Sequence, residues 1–206
     1  MPAAAGTIVG ILLAAGRGTR FDPSGQTSKL LAAAPAGPHA GAPLALAAAR
    51  TLRGVLSEVV AVVRPPDTPA QQELHRLLRD AGCRLAINAR AEEGMGGSIA
   101  AGVRASTDAA GWLVALADMP AVAPPTISAV RDALAAGAPS AAPMHQGRRG
   151  HPVGFAARLG PLLLALQGDA GARSVLVAHP PLPIPVDDPG CLLDLDSAAD
   201  FAAPQA

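Results

Sequence analysis

The first residues that could do chemistry lie in a glycine-containing stretch near the start of the chain. Gly16 and Gly18 are followed by the basic residues Arg20 and Lys29. Because glycine has no side chain beyond Cα, backbone N–H groups there can approach phosphate oxygens closely. Arg20 and Lys29 add positive charge suited to a polyphosphate. The pattern predicts a triphosphate site, although an ordinary strand-to-helix turn with solvated basic residues also fits the glycines alone.

Two familiar nucleotide-binding motifs do not fit this stretch. A P-loop requires Gly-x-x-x-x-Gly-Lys-Ser/Thr, which residues 16–21 do not supply. A dinucleotide fingerprint requires a third glycine where Phe21 stands. It also requires an acidic residue at the end of the second strand, where Val63 and Arg64 stand. An NADP site that uses Arg64 remains open as an alternative.

Carboxylates supply the second set of candidate residues. Asp118 follows an apolar run and precedes Met119 and Pro120. A carboxylate at the carboxyl end of a strand, beside a phosphate loop, is placed to bind Mg²⁺, which prefers oxygen ligands. Asp194 and Asp196 alternate and would point to one side of an extended segment, so either could be a second ligand. A turn-capping role for Asp118 and a solvated acidic edge at the C-terminus are the alternatives.

These residues must be positioned by alternating strands and helices. Apolar runs predict strands at residues 7–15, 57–64, 83–88, 112–117, 139–144 and 153–155, with closing strands or edges at 182–186 and 191–195. Helical spacing predicts helices at residues 43–53, 69–81, 126–136, 157–166 and 170–178, and a further helix that Ser98 caps and that reaches Ser106.

The alternation predicts one α/β domain over residues 1–206. The predicted architecture is a Rossmann-like, doubly wound, mostly parallel sheet with helices on both faces. Ligands in such folds lie at the carboxyl ends of the strands, where Gly16 and Asp118 both fall. We expect residues 1–6 to be disordered and residues 32–42 to form a loose surface loop.

The composition disfavours nucleic acid and membranes as partners. Acidic and basic residues balance at sixteen each, whereas a nucleic-acid-binding protein normally shows a basic stripe. With three Phe, one Trp and no Tyr, the chain also lacks platforms on which bases stack. No basic residue precedes Arg17, so the apolar stretch at 8–15 lacks the charged start of a signal peptide. Cys83 and Cys191 are isolated in sequence, and a cytoplasmic protein without disulfide bonds is predicted.

The five histidines show no metal-ligand spacing. His75 falls on a predicted helix, and we expect it at the surface. His151 lies between Gly150 and Pro152, and we expect it to bind an anionic acceptor from a loop, with a purely structural role as the alternative.

Six short blocks resemble the molybdenum cofactor cytidylyltransferase (MocA-like) family of the nucleotidyltransferase superfamily. The blocks are Leu-Ala-Ala-Gly-Arg-Gly-Thr-Arg-Phe at 13–21 with Lys-Leu-Leu at 29–31, Gly-Met-Gly-Gly-Ser at 94–98, Leu-Ala-Asp-Met-Pro at 116–120, Gly-His-Pro-Val-Gly-Phe at 150–155, Gly-Asp-Ala-Gly-Ala-Arg at 168–173, and Asp-Leu-Asp at 194–196. They run in family order over nearly the whole chain. The stretches 21–28 and 31–43 are longer than in the family.

The resemblance implies a CTP:molybdopterin cytidylyltransferase of the nucleotide-diphospho-sugar transferase fold. Such an enzyme moves CMP from CTP to molybdopterin, releases pyrophosphate and uses Mg²⁺, and a molybdoenzyme or its chaperone would be a protein partner. The implied catalytic residues are Lys29, Arg20 and Asp118, and the implied metal ligands are Asp118 and Asp196. The implied nucleotide contacts are Leu13, Ala14, Ala15, Gly16, Gly18, Lys29, Gly96 and Ser98. The implied acceptor contacts are His151, Asp169 and Arg173.

Other functions share the first two motifs. A guanylyltransferase, a methylerythritol-phosphate cytidylyltransferase and a sugar-phosphate nucleotidyltransferase remain alternatives within the fold. The pair Ala14-Ala15 resembles the cytidylyl side, because guanylyl-specific relatives carry Ala-Gly-Gly there. From a different class, a non-catalytic nucleotide-binding regulator or cofactor chaperone would require an eroded metal site, yet Asp118, Asp196 and Lys29 are all present.

Overall fold

The computed structural model describes residues 6–16, 18, 21, 28–196 and 200–201. Sequence predictions that fall elsewhere lie outside the described residues. They include the role of Arg20, the expected disorder of residues 1–5 and the insertion at 22–27.

Strands and helices alternate through the first two thirds of the chain. The strands are β1 (Ile8–Leu13), β2 (Val59–Val63), β3 (Arg84–Ile87), β4 (Gly111–Leu116), β5 (Ser140–His145), β6 (Arg148–Arg149), β7 (Val153–Ala156) and β8 (Leu182–Pro185). The α-helices are α1 (Leu44–Val55), α2 (Pro69–Asp80), α3 (Met95–Arg104), α4 (Pro124–Ala135), α5 (Gly160–Leu164) and α6 (Arg173–Ala178). Short 3₁₀ turns lie at Lys29–Leu31, Ala91–Glu93, Ala157–Leu159 and Pro189–Leu192.

The eight strands form one mixed sheet in the order β3-β2-β1-β4-β7-β5-β6, with β8 paired to β5. Strands β1 to β4 are mutually parallel, whereas β7 runs antiparallel to both β4 and β5. Helices α1 and α2 connect the first three strands outwards, and α3 then returns the chain to β4 on the other side of β1. The strand order therefore reverses between β1 and β4, as the doubly wound prediction requires.

The core lies on both faces of the sheet, because alternate residues of each strand point to opposite faces. In β2, Val59, Ala61 and Val63 join the cluster that contains Leu52, Leu74 and Ile127 from α1, α2 and α4. Val60 and Val62 join the other cluster, which contains Ile99, Val103, Trp112 and Leu163. The side chains in both clusters are mainly aliphatic.

Two element predictions are wrong. Helix α3 begins at Met95 with Gly94 as its N-cap residue, so Ser98 lies inside the helix rather than at its start. Residues 191–195 form no strand, because the 3₁₀ turn Pro189–Leu192, which Asp188 caps, takes up the first two of them. The carboxylate of Asp188 accepts hydrogen bonds from the amides of Gly190 (3.0 Å) and Ala123 (2.9 Å).

The segment 32–42 is more closed than the predicted loose loop. Ala34 is 2% exposed and exchanges backbone hydrogen bonds with Gly41 and Ala42. Ala34 also packs with Leu44 and Leu195 in a small third cluster. The small side chains permit this packing, so the segment links helix α1 to the C-terminal part of the chain.

His75 is buried at 2% exposure, not at the surface, and its Nε2 lies 2.7 Å from the carbonyl oxygen of Arg64. Its helix turns that position inwards beside Leu74 and Leu78. Cys83 and Cys191 are free thiols, as predicted. Among the described residues, no helix is both long and apolar enough to cross a membrane.

Candidate active site

The candidate site lies where the strand order reverses. Leu13 and Leu116 pair at the ends of β1 and β4, and the amide of Ala117 donates to the carbonyl oxygen of Leu13 at 3.1 Å. The glycine loop follows β1 and Asp118 follows β4. Two segments far apart in sequence therefore leave the sheet side by side, at the position where doubly wound folds bind ligands.

Lys29 joins the two predicted metal ligands. Its Nζ donates a hydrogen bond of 2.8 Å to Oδ2 of Asp118 and another of 2.8 Å to Oδ1 of Asp196. Lys29 is 6% exposed, whereas the side chains of Asp118 and Asp196 are 22% and 29% exposed. The structure thus brings together three residues that the sequence placed in separate motifs.

The charge of Lys29 is stabilised by this arrangement. Burial disfavours the ammonium ion and lowers the pKa of Lys29, but the hydrogen bonds and charges of Asp118 and Asp196 raise it by more. The net pKa lies above the ordinary value of a lysine, so the side chain is positively charged throughout the neutral pH range. A buried ammonium between two carboxylates satisfies the requirement that buried charges be paired.

The second of the two C-terminal carboxylates is the one that faces Lys29. Asp194 is exposed, Leu195 is fully buried and Asp196 is partly buried. The amide of Leu195 donates to the carbonyl oxygen of Asp118 at 3.1 Å, which fixes Asp196 beside the end of β4. The sequence left either aspartate open.

A cavity of about 400 Å³ opens beside these charges. That volume is in the range of small-ligand sites. Its lining contains most of the predicted nucleotide contacts together with residues the sequence did not indicate. The lining residues are Leu13, Ala15, Gly16, Gly18, Ser28, Lys29, Leu30, Ala91, Glu92, Gly94, Met95, Ser98, Leu116, Asp118 and Asp169. Predicted contact Ala14 is buried in the core and absent from this lining.

The two glycines of the loop differ in their surroundings. Gly18 has φ +64°, and a Cβ added there would lie 3.3 Å from Cβ of Lys29. A side chain at Gly18 would therefore press on the lysine. A Cβ at Gly16 would meet no described atom within 4 Å, so the backbone at Gly16 borders open space. Gly16 is thus the glycine at which a ligand can approach the main chain most closely.

The blocks at 94–98 and 168–173 pack against each other. The amide of Gly96 donates to the carbonyl oxygen of Gly168 at 2.9 Å. A Cβ at Gly94 would lie 2.3 Å from the carbonyl carbon of Gly168, and one at Gly96 would lie 2.7 Å from the carbonyl oxygen of Gln167. Gly96, a predicted nucleotide contact, is buried and does not line the cavity. The absence of a side chain at Gly96 lets the start of α3 pack directly against the backbone of Gln167 and Gly168.

Two polar contacts near the cavity were missed by the sequence analysis. Asn88, just after β3, donates from Nδ2 to Oγ of Ser98 at 3.0 Å. Glu92 accepts a hydrogen bond of 2.9 Å from Arg64, which follows β2. Both Asn88 and Arg64 are polar residues at the carboxyl ends of parallel strands. Ligands in doubly wound folds lie at the carboxyl ends of the strands, and this rule, which indicated Asp118, therefore indicates Asn88 and Arg64 as well.

The structure does not bring the three predicted acceptor contacts together. Asp169 is exposed and lines the cavity. Arg173 is exposed at the start of α6 and is not part of the lining. His151 borders a separate cavity of about 20 Å³, and its Nδ1 is buried without a hydrogen-bond partner among the described residues. Burial is the main cause that lowers the pKa of His151, so its ring favours the neutral form.

The donor set near Lys29 is compatible with a magnesium ion. Among the residues that the structure describes, no group of three or more His, Cys, Asp or Glu side chains could hold a metal. Asp118 and Asp196 nevertheless converge on one cation, the Lys29 ammonium, with one oxygen each at 2.8 Å. Mg²⁺ in nucleotide sites is commonly bound by one or two carboxylates, with phosphates and water completing its shell.

The fold is an α/β fold with a candidate ligand site where the strand order reverses. The chain belongs to the family of the MobA-like NTP transferase domain, whose sequence profile matches residues 10–182. It is therefore a nucleotidyltransferase, an enzyme that binds a nucleoside triphosphate and an acceptor. No match was found among curated proteins.

Three proteins of known structure illustrate the shared fold. Rv0371c from Mycobacterium tuberculosis H37Rv is 24% identical, with 97% of each chain covered and a TM-score of 0.74. Its structure in complex with manganese gives 23% identity, 95% and 96% coverage and a TM-score of 0.70. A nucleotidyl transferase from Methanothermobacter thermautotroptrophicus is 20% identical over 95% of this chain and 94% of its own, with a TM-score of 0.72. The 4-diphosphocytidyl-2C-methyl-D-erythritol synthase from Anaerococcus prevotii DSM 20548 is 13% identical over 96% and 94%, with a TM-score of 0.71.

Proposed function

We propose that this protein is a Mg²⁺-dependent CTP:molybdopterin cytidylyltransferase, which transfers CMP from CTP to molybdopterin and releases pyrophosphate. The observation that carries the proposal is the convergence of Lys29, Asp118 and Asp196 at the strand reversal. They lie beside a cavity whose lining includes Gly16 and Gly18. A triphosphate requires positive charge and accessible backbone N–H groups, which Lys29 and Gly16 supply. Its metal ion requires oxygen ligands, which the carboxylates of Asp118 and Asp196 supply.

The proposed reaction is a substitution at the α-phosphorus of CTP. An oxygen of the acceptor phosphate forms a new bond to that phosphorus, and the bond to the oxygen bridging the α- and β-phosphates breaks. Pyrophosphate leaves with the electron pair. Because the terminal phosphate of the acceptor is ionised at neutral pH, the reaction needs no general base. Catalysis then depends on holding two anions together and on neutralising the charge that develops on the leaving group.

The residues of the site divide this work. Asp118 and Asp196 would hold Mg²⁺, which would supply positive charge to the phosphate oxygens when it is bound. Lys29 adds a second positive charge at the same edge of the sheet, and we assign to it the departing phosphates. The Gly16 backbone, open to the cavity, would donate to phosphate oxygens. We assign Arg20 to the same phosphates, with a smaller contribution to stabilising their charge.

The choice of CTP rests on Ala15, and the choice of acceptor on the resemblance to the MocA-like family. Ala15 is 4% exposed and lines the cavity, so its methyl group reduces the space for a base. Asp169 is the predicted acceptor residue that lines the same cavity. A carboxylate there would accept hydrogen bonds from the N–H groups of a pterin.

The test is a panel of the four nucleoside triphosphates, assayed for pyrophosphate release with Mg²⁺ and molybdopterin. We expect release with CTP that depends on molybdopterin. Pyrophosphate release with GTP instead of CTP would indicate guanylyl transfer. Release from CTP only with methylerythritol phosphate or a sugar phosphate would show that the acceptor is that compound and not molybdopterin. A protein that binds nucleotides but releases no pyrophosphate with any acceptor would be a regulator or chaperone, contrary to the proposal.

A further inference from the structure

The amide group of Asn88 has a fixed orientation. The backbone N–H of Arg90 lies 3.0 Å from Oδ1 of Asn88, and a backbone N–H can only donate. The atom that faces Arg90 must therefore be the oxygen, which leaves the NH₂ group facing Ser98 at 3.0 Å. The backbone N–H of Asn88 donates to the carbonyl oxygen of Val63 at 2.8 Å, and this hydrogen bond anchors the residue to the end of β2.

This orientation decides which way the hydroxyl group of Ser98 acts. Because the NH₂ group of Asn88 is a donor, Oγ of Ser98 must accept, and its hydroxyl hydrogen is left for another partner. No described residue accepts it. Two other hydroxyl groups on or beside helices behave differently, since Thr51 donates to the carbonyl of Ala47 at 3.1 Å and Ser106 donates to that of Gly102 at 2.9 Å.

The free hydroxyl hydrogen belongs to a residue that lines the cavity. Ser98 is 5% exposed, so its donor lies in a nearly buried position, where an unmade hydrogen bond is costly. Apolar Leu13, Ala91 and Met95 line the same cavity. Ser98 is an uncharged donor in a cavity that is partly apolar, and such a donor suits a flat nucleobase, whereas the charged groups Lys29 and Asp118 suit phosphates and metal.

We propose that Asn88 is a positioning residue that fixes the Ser98 hydroxyl as a hydrogen-bond donor to an acceptor atom of the nucleobase, which in CTP is a ring nitrogen or carbonyl oxygen of cytosine. The inference rests on the proposed function, because it takes the cavity to be the CTP site. Asn88 acts through Ser98 and does not touch the nucleotide. Selectivity then comes from the direction of one hydrogen bond in addition to the methyl group of Ala15.

The variant Asn88→Asp reverses this direction with little change of shape. The new carboxylate can still accept from the amide of Arg90, but it offers no donor to Ser98. The Ser98 hydroxyl would then donate to the carboxylate and turn a lone pair towards the base. We expect CTP binding, measured by calorimetry with Mg²⁺ and without acceptor, to weaken about thirtyfold in Asn88→Asp and about fivefold in Ser98→Ala. In the Ser98→Ala background, Asn88→Asp should cause less than about a further twofold loss.

Tripolyphosphate is the matched probe, because it carries the phosphates of CTP without the base. We expect its affinity to stay within about twofold of wild type in all three variants. If Asn88→Asp weakens CTP and tripolyphosphate equally, the effect is charge repulsion and the inference is overturned. An undiminished effect of Asn88→Asp in the Ser98→Ala background overturns it too. A wild-type protein that binds neither CTP nor GTP would defeat the proposed function itself, and the inference with it.

Discussion

The two sides of the candidate site are built differently. On the phosphate side, Lys29 is 6% exposed and is held by two hydrogen bonds of 2.8 Å, to residues that directly follow a strand or lie beside its end. On the side assigned to the acceptor, Asp169 and Arg173 are exposed and lie in a loop and at the start of a short helix. Because Lys29 is buried and paired with two carboxylates, few substitutions are tolerated on the phosphate side. Exposed loop residues can change without cost to the core, so acceptor choice is the more adjustable property.

The strongest test of the phosphate side is Asp118→Asn. We expect turnover to fall by at least about a thousandfold, since a neutral amide is a weaker metal ligand and also leaves Lys29 with one carboxylate fewer. Circular dichroism should remain unchanged, because the substitution is isosteric. Activity within tenfold of wild type, with the fold intact, would remove Asp118 from the metal site.

Lys29→Ala should have the next largest effect. We expect kcat to fall by about a hundredfold with a smaller change in the KM for CTP, because charge on the pyrophosphate grows as the bond breaks. Arg20→Ala should act in the same direction more weakly. Steady-state kinetics with varied CTP would distinguish the outcomes, and a rise in KM with kcat unchanged would reassign either residue to ground-state binding.

Gly94→Ala tests whether the two sides depend on each other. A Cβ at Gly94 would overlap Gly168, and the residue has φ +119°, so we expect a loss of about 1–3 kcal/mol in the free energy of unfolding. The KM values for both substrates should rise, because Met95 and Ser98 of α3 line the cavity together with Asp169 of the loop that packs against the start of α3. The matched control is Gly137→Ala, at φ +100° with no atom within 4 Å, which should lose stability from backbone strain alone and keep both KM values.

The acceptor side should respond separately. We expect Asp169→Ala to raise the KM for the acceptor by about thirtyfold through the loss of hydrogen bonds to it, while CTP affinity measured by calorimetry stays within about twofold. Arg173→Ala should raise the same KM less, because Arg173 lies outside the cavity lining. Equal losses of CTP and acceptor binding would mean that the two sides are not distinct.

The smallest expected effect concerns the base. Ala15→Gly removes the methyl group that narrows the cavity, and we expect the preference for CTP over GTP in kcat/KM to fall by about tenfold. Parallel measurements with both nucleotides, in wild type and variant, provide the comparison. A preference that is unchanged in Ala15→Gly would leave Ser98 as the residue that reads the base.

The sequence predicted an element correctly where a local pattern determines it. The prediction failed where contact with a distant segment determines the structure. The buried run of β2 and the apolar spacing of Leu74 and Leu78 predicted their elements within a few residues. The start of α3 was misplaced because Gly94, rather than Ser98, takes the cap position at its contact with Gly168. His75 was misplaced for a similar reason, since its partner, the carbonyl oxygen of Arg64, belongs to another element.

More of the predicted residues lie together on the side assigned to the phosphates than on the side assigned to the acceptor. Spacing alone indicated Gly16, Lys29 and Asp118, because strand ends in an α/β fold converge. The hydrogen bonds from Lys29 to both carboxylates could not be read from the sequence, since they span separations of 89 and 167 residues. The choice between Asp194 and Asp196 depended on how Leu195 packs, which is a tertiary property.

The link between Lys29 and Asp196 has a consequence for the order of folding. A contact across 167 residues closes a loop that spans most of the chain, and we expect it to form after the intervening strands have paired, because closing a long loop costs more entropy than pairing nearer segments. During synthesis, Lys29 emerges long before Asp196, so the nascent protein can hold a nearly complete sheet before the candidate site is complete. We expect refolding followed by far-ultraviolet circular dichroism to precede the recovery of CTP binding. Nucleotide capture would then be confined to chains that have been synthesised beyond residue 196.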